Sequence, residues 1–153
     1  MHGGTYDPEF AVGLGATAVD LATRLLTDPP ATEEQEDFLA TAANFQARAE
    51  DALLNDQPRR AAHFAGLAQW QALKAVVLPG GITDEEIRAM DELATSLFQK
   101  AQTAVGPEPT ELQQDLLEAV DRLIEMAENH MGQVRIVIGP LWRAAVISQW
   151  LIG

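Results

Sequence analysis

Residues 83–106 read TDEEIRAMDELATSLFQKAQTAVG and decide the fold of this chain. Thr83 and Glu86 can form a capping box, in which the threonine hydroxyl accepts a hydrogen bond from the N–H three residues on and the glutamate accepts one from the threonine N–H. Apolar side chains then recur every three or four residues, as they do on one face of a helix. They are Ile87, Met90, Leu93 or Ala94, Leu97, Ala101 and Ala104. A glycine and a proline at 106 and 107 end the segment in the usual way.

The same box opens two further segments, after Thr32 and after Thr110. Two more helices start at Pro8 and Pro58, because proline suits the first position of a helix. Short connections favour antiparallel neighbours, so we expect an all-α, up-and-down antiparallel bundle. It has five long helices and a shorter C-terminal helix, over about residues 8–27, 33–55, 58–77, 84–105, 111–131 and 140–152.

Length and composition predict a single helical-bundle domain over residues 1–153. The chain is 47% hydrophobic and 22% charged, which is typical of a globular protein. We allow for disorder in residues 1–7, where no helical pattern is present. A formal net charge of −13 repels phosphate backbones, so we expect no nucleic-acid partner. The absence of cysteine excludes disulfides and thiol chemistry. No secretory signal pattern is visible, and we expect a cytoplasmic protein.

The C-terminal segment, residues 133–153, differs from the rest of the chain. It contains no acidic residue, and its two arginines give it a charge of +2 against −15 for the preceding residues. Val134–Ile138 is the one β-like run, and the final helix is expected to start at Pro140. Arg143 would cost about 2.5–3.5 kcal/mol at the centre of a bilayer, so we expect no stable membrane insertion. The segment is instead expected to dock on the bundle or on a second subunit.

The chain shows no pattern typical of a catalytic or metal-binding bundle. Bundles that hold di-iron or di-manganese centres use Glu-x-x-His pairs, and none occurs here. One acidic row of helix five lies opposite its apolar face and is expected to be solvated; it consists of Glu118, Asp121, Glu125 and Glu128. We therefore predict no metal and no cofactor, assign no catalytic residue, and leave open whether the chain is an enzyme.

Two functional hypotheses follow. The first is a non-catalytic module that self-associates, with a homodimer favoured, or binds another protein. Its surface would be helix three, which is apolar nearly all round, or the Trp142–Trp150 segment. The second is a small-molecule-binding or catalytic bundle with an internal pocket between helix three and the C-terminal helix. That pocket would be lined by His63, Trp70, His130, Trp142, Arg143 and Trp150.

In the second hypothesis Arg143 anchors a small anionic ligand, since a guanidinium in apolar surroundings requires a partner. A structural interpretation competes with it at each residue. Arg143 can pair with a carboxylate of the acidic body, and Trp70 can fill the core, as most buried aromatic residues do. His63 and His130 lie in the first and last turns of their helices, where neither needs a ligand.

Overall fold

A computed structural model describes residues 7–28, 30–77 and 82–153, with only the backbone of Arg135. Helices make up 83% of the described residues, and none of these residues forms a strand. The all-α fold predicted from the sequence is confirmed. The six helices are α1 (Pro8–Leu25), α2 (Glu33–Leu54), α3 (Pro58–Val76), α4 (Asp84–Val105), α5 (Glu111–Glu128) and α6 (Val134–Ile152).

The helices start where the capping pattern predicts. All three threonine boxes are formed; at the start of α2, for example, Gln35 N donates to Thr32 Oγ1 at 3.2 Å and Thr32 N donates to Gln35 Oε1 at 2.9 Å. At the start of α1, Asp7 accepts from Glu9 N at 2.9 Å, and a proline follows at the first helical position. The expectation of disorder at residues 1–7 falls, apart from Asp7, outside the described residues.

The chain divides into two compact units, which we call unit 1 (residues 1–79) and unit 2 (residues 80–153). Each unit contains three helices. In unit 1, α3 packs against both α1 and α2. In unit 2, α6 packs against both α4 and α5. The single domain expected over residues 1–153 stays a prediction.

Small side chains line the helix contacts of unit 1. Five of the six buried residues of α3 are alanine, and a core cluster joins Ala61 and Ala65 to Ala49, Ala52 and Val12. Because alanine projects little from a helix, the backbones can approach closely. Phe10 of α1 is buried in this unit, whereas Phe64 is half-buried and Trp70 is exposed.

Gln46 is a buried polar residue in the same interface. Its Nε2 donates to Val12 O and to Glu50 Oε2, each at 3.0 Å, and the residue is only 6% exposed. The amide lies directly over Gly15, where a Cβ would overlap Gln46 Oε1 and lie 3.3 Å from Ala65 Cβ. Gly15 is thus required by the close approach of α1, α2 and α3.

The core of unit 2 is built from larger aliphatic residues. The fully buried side chains include Ile87, Leu116, Val120, Leu141 and Val146, contributed by all three helices. The C-terminal segment therefore packs on α4 and α5 as α6. None of the described helices is long and apolar enough to cross a membrane.

The predicted start of the last helix was wrong. α6 begins at Val134 rather than at Pro140, contains the β-like run Val134–Ile138, and is as long as α3 at 19 residues. Val137 and Ile138 are buried, so tertiary burial overrides their modest helix propensity. Pro140 cannot donate to the carbonyl of Ile136, but Ile136 is 51% exposed, a position where water can hydrogen-bond that carbonyl.

The variant Gly15→Ala should destabilise unit 1. The new methyl group must displace the Gln46 amide and disturb its two hydrogen bonds, and overpacking of this kind costs about 1–3 kcal/mol. Urea unfolding followed by circular dichroism measures the change.

Gly66→Ala is the matched control, since Gly66 lies in the middle of α3 with nothing within 4 Å of an added Cβ. It should stabilise the chain by about 0.5–1 kcal/mol through helix propensity. Equal effects of the two variants would contradict the close approach at Gly15.

Candidate functional site

A surface pocket of about 250 Å³ lies in unit 1 beside the turn that joins α2 to α3. Below we call it the arginine–aromatic pocket. Its walls come from the last turns of α2, the connection, and the first two turns of α3. The lining residues are Arg48, Asp51, Ala52, Gln57, Arg60 and Phe64.

The α2–α3 turn brings these residues together. Asn55 closes α2 with its backbone N and its side-chain Nδ2, which both donate to Asp51 O, at 3.0 and 2.9 Å. Asp56 then adopts a positive φ of 56°, and Gln57 N donates to Ala52 O at 2.9 Å. Pro58 starts α3 immediately afterwards. The chain reverses within three residues, so the end of α2 faces the start of α3.

Phe64 provides the apolar floor of the pocket and forms an aromatic pair with Phe45. The rings of Phe45 and Phe64 stack with centroids 6.2 Å apart and an interplanar angle of 23°. Phe64 is half-buried and packs against the alanine-rich core cluster of unit 1. Two guanidinium groups lie against its ring, with Arg48 Cζ at 5.9 Å and Arg60 Cζ at 5.7 Å from the centroid. Such cation–π contacts hold the arginine side chains near the pocket.

Neither guanidinium is neutralised within the described part of the chain. The ion pairs found there join Arg24 to Asp20 and Arg122 to Glu118, and neither Arg48 nor Arg60 has a carboxylate within 4.0 Å. Two positive charges therefore lie beside one ring in a chain whose net charge is −13. Asp51 is the one acidic residue in the pocket wall.

A second feature of α3 faces solvent. Ala62, His63, Gly66 and Trp70 are exposed along one side of the helix, and we call them the α3 stripe. Trp70 is 50% exposed, and Lys74 Nζ lies 5.6 Å from its ring centroid. The stripe has no side-chain bulk at Gly66, so another surface can approach the helix there.

The six residues predicted for an internal pocket are divided between the units. His63 and Trp70 lie in unit 1, where both are exposed. The other four lie in unit 2: Trp142 is 3% exposed, Trp150 is half-buried, and His130 and Arg143 are exposed. The His130 ring Nδ1 lies 2.8 Å from Met126 O. The predicted pocket would join the two units, and it stays a prediction. None of the six lines the arginine–aromatic pocket.

Sequence reasoning did not select Arg48, Arg60 and Phe64. A local signal was present: Phe45 and Arg48 are three residues apart on α2, and Arg60 and Phe64 are four apart on α3, spacings at which side chains meet on a helix. The two pairs come together only through the α2–α3 turn. Finding them required the pairing of these two helices in addition to the spacing.

The acidic residues of unit 2 contain one coupled pair, Asp91 on α4 and Glu128 on α5. Burial raises the pKa of Asp91, and the charge of Glu92 adds to this, while a hydrogen bond with Glu128 opposes it. Glu128 is exposed as a residue, but partial desolvation of its carboxyl group also raises its pKa, followed by the charge of Asp91, the hydrogen bond with Asp91 and the charge of Glu125. Asp91 Oδ1 is buried and has no hydrogen-bond partner among the described residues. The two carboxyl groups thus retain a proton more readily than isolated ones.

Metal ligands do not cluster in the residues that the structure describes: no group of three or more histidine and acidic side chains could hold an ion there. The expected absence of a metal and of a cofactor stays a prediction. As expected, the acidic row of α5 is exposed, and Glu118 Oε2 lies 4.0 Å from Arg122 NH2.

No protein family model, no curated protein and no solved structure matches this chain.

The Asp91–Glu128 pair predicts a pH-dependent effect of Asp91→Asn. A carboxyl group whose pKa is raised by folding stabilises the fold below its unfolded pKa, and this contribution is lost as the pH rises through the folded pKa. At pH 7 the pair is therefore destabilising, and Asp91→Asn should raise the urea midpoint above that of the unmodified chain. The gain should shrink as the pH falls toward about 4, where carboxyl groups take up protons.

Asp121→Asn is the control for the general removal of a negative charge, because Asp121 is exposed on α5. A gain from Asp91→Asn that matches the control at every pH would show that the two carboxyl groups are not coupled.

Proposed function

We propose that this chain is a non-catalytic helical module that forms a homodimer through the α3 stripe. The observation that carries the proposal is the position of Trp70. The largest side chain of α3 faces solvent and is 50% exposed, whereas the inward side of the same helix is almost entirely alanine. A scattered exposed apolar residue is ordinary, but tryptophan is among the residues most enriched at the energetic centres of protein interfaces.

The geometry of the stripe suits a second copy of the same helix. Gly66 and Ala62 leave space for close approach, and Trp70 lies one turn beyond Gly66, where it would pack against the partner helix. A two-fold arrangement would place each Trp70 against the small residues of the other copy, because a symmetric dimer uses the same patch twice.

The C-terminal segment supports the proposal less well. Trp142 is 3% exposed, and α6 is enclosed by α4 and α5 within unit 2. Most apolar side chains of that segment are thus buried in the core of unit 2. Of the two surfaces considered from the sequence, the α3 stripe retains the larger exposed aromatic group.

Electrostatics should oppose the dimer and make it salt-dependent. Each copy has a net charge of −13, so two copies repel each other as whole molecules. The two α3 helices also repel each other, because each has three basic residues and no acidic one. Salt screens such repulsion over about 10 Å at 0.1 M ionic strength. The dimer should accordingly become tighter as salt is added.

We place the module in the cytoplasm. A chain without cysteine has no disulfide that the reducing conditions there could break.

Trp70→Ala should weaken the proposed dimer. Loss of a central aromatic anchor costs about 2 kcal/mol or more, which corresponds to a dissociation constant at least about thirty times higher. Sedimentation equilibrium at 0.05, 0.15 and 0.5 M NaCl measures the constant, with the unmodified chain dimerising most tightly at the highest salt.

Leu54→Ala is the matched control, because Leu54 is an apolar residue of the same unit that is 86% exposed outside the stripe. It should leave the dissociation constant unchanged, whereas Gly66→Leu should block pairing by filling the space beside Trp70. A chain that stays monomeric at millimolar concentration in every salt, or equal weakening by Trp70→Ala and Leu54→Ala, would contradict the proposal.

A further inference from the structure

We propose that the arginine–aromatic pocket of unit 1 is a binding site for a small carboxylate monoanion with a planar apolar group. The carboxylate would lie between Arg48 and Arg60, and the apolar group would lie against Phe64. This proposal does not depend on the homodimer, because none of the α3 stripe residues lines the pocket.

The guanidinium groups of Arg48 and Arg60 lack a close ion-pair partner among the described residues. Arg48 Cζ and Arg60 Cζ each lie within 6 Å of the centroid of Phe64, and no carboxylate of the described residues pairs with either. Guanidinium groups bind carboxylates through two parallel hydrogen bonds, which makes such pairs strong and geometrically specific. A bound carboxylate would supply the close ion pair that Asp51, the acidic residue of the wall, does not form with either arginine.

The lining as a whole has a positive charge. Arg48 and Arg60 contribute +2 and Asp51 contributes −1, so the pocket has a formal charge of +1. A monoanion neutralises this charge. A phosphate dianion would overcompensate it and would meet the Asp51 carboxylate in the wall. The lining therefore favours a carboxylate over a phosphate.

The pocket is small. A volume of about 250 Å³ corresponds to about eight water molecules at about 30 Å³ each. Pockets for drug-sized ligands start at about 300 Å³. An acid of about ten non-hydrogen atoms, such as benzoate, therefore fits in the pocket.

The pocket is preorganised. Phe64 packs against the core cluster and stacks on Phe45, so the apolar floor of the pocket is fixed before any ligand arrives. The cation–π contacts already hold both arginines near that floor. A preformed site loses less conformational entropy on binding than a mobile one.

Sodium benzoate is the probe, with ¹H–¹⁵N spectra of the full chain as the readout. Benzoate should shift amide signals of residues 48–64 with a dissociation constant of about 1 mM, a value typical of so small a ligand. Benzamide has nearly the same shape without the charge, and inorganic phosphate has the charge without the ring. Each should bind at least about ten times more weakly.

Two variants and a matched control identify the site. Arg48→Gln and Arg60→Gln should each weaken benzoate binding about tenfold or more, because each removes one charged donor. Arg59→Gln removes the same charge from the same turn of α3 at a residue that does not line the pocket, and it should change the affinity less than twofold. Asp51→Asn should tighten benzoate and improve phosphate binding.

Three results would overturn the proposal. They are equal binding of benzoate and benzamide, equal weakening by Arg60→Gln and Arg59→Gln, and an absence of shifts in residues 48–64 at 20 mM benzoate, about twenty times the expected constant. The first is read from the unmodified chain, and the second from variants whose spectra show an intact fold. The third needs only the unmodified chain.

Discussion

Close packing of helices across small side chains is the constraint on which unit 1 depends. Alanine occupies most of the inward positions of α3, and Gly15 gives the Gln46 amide its place between α1 and α2. The core cluster places mainly methyl groups between α2 and α3, while larger side chains such as Phe10 and Leu73 are also buried in unit 1. Phe64 is half-buried at the edge of the core, and Trp70 is 50% exposed. These two aromatic residues carry the features proposed to bind a ligand and a partner.

The helix interfaces of unit 2 contain more large aliphatic side chains than those of unit 1. The helices of unit 2 meet across leucine, isoleucine and valine, and α6, which has no acidic residue, packs against both α4 and α5. An apolar segment of that composition would cause aggregation if it were left in water. Because α6 is buried against α4 and α5, the C-terminal segment can be strongly hydrophobic. Trp142, which is 3% exposed, contributes to the core of unit 2.

The capping residues made most of the fold predictable from the sequence. Each threonine box marks a start that the structure contains, and so do Pro8 and Pro58, since these motifs act locally and need no tertiary contact. The start of α6 was mispredicted because Pro140 and a β-branched run are local signals that burial of Val137 and Ile138 overrides. The arginine–aromatic pocket was missed for the opposite reason: its residues are unremarkable on each helix and form a site only when α2 and α3 pair. The orientation of α3 was also hard to predict, because alanine is compatible with either a buried or an exposed face.

A comparison of Ala65→Leu with Ala62→Leu tests the close packing of unit 1 most directly. Both residues lie in α3, but Ala65 is 0% exposed in the core cluster and Ala62 faces solvent. Urea unfolding at low micromolar concentration gives the free energy of unfolding of each variant. We expect Ala65→Leu to lower the free energy of unfolding by about 1–3 kcal/mol through overpacking. Ala62→Leu should leave it within about 0.5 kcal/mol of the value for the unmodified chain. A gain in stability from Ala65→Leu would show that the interface contains unfilled space and would contradict the account.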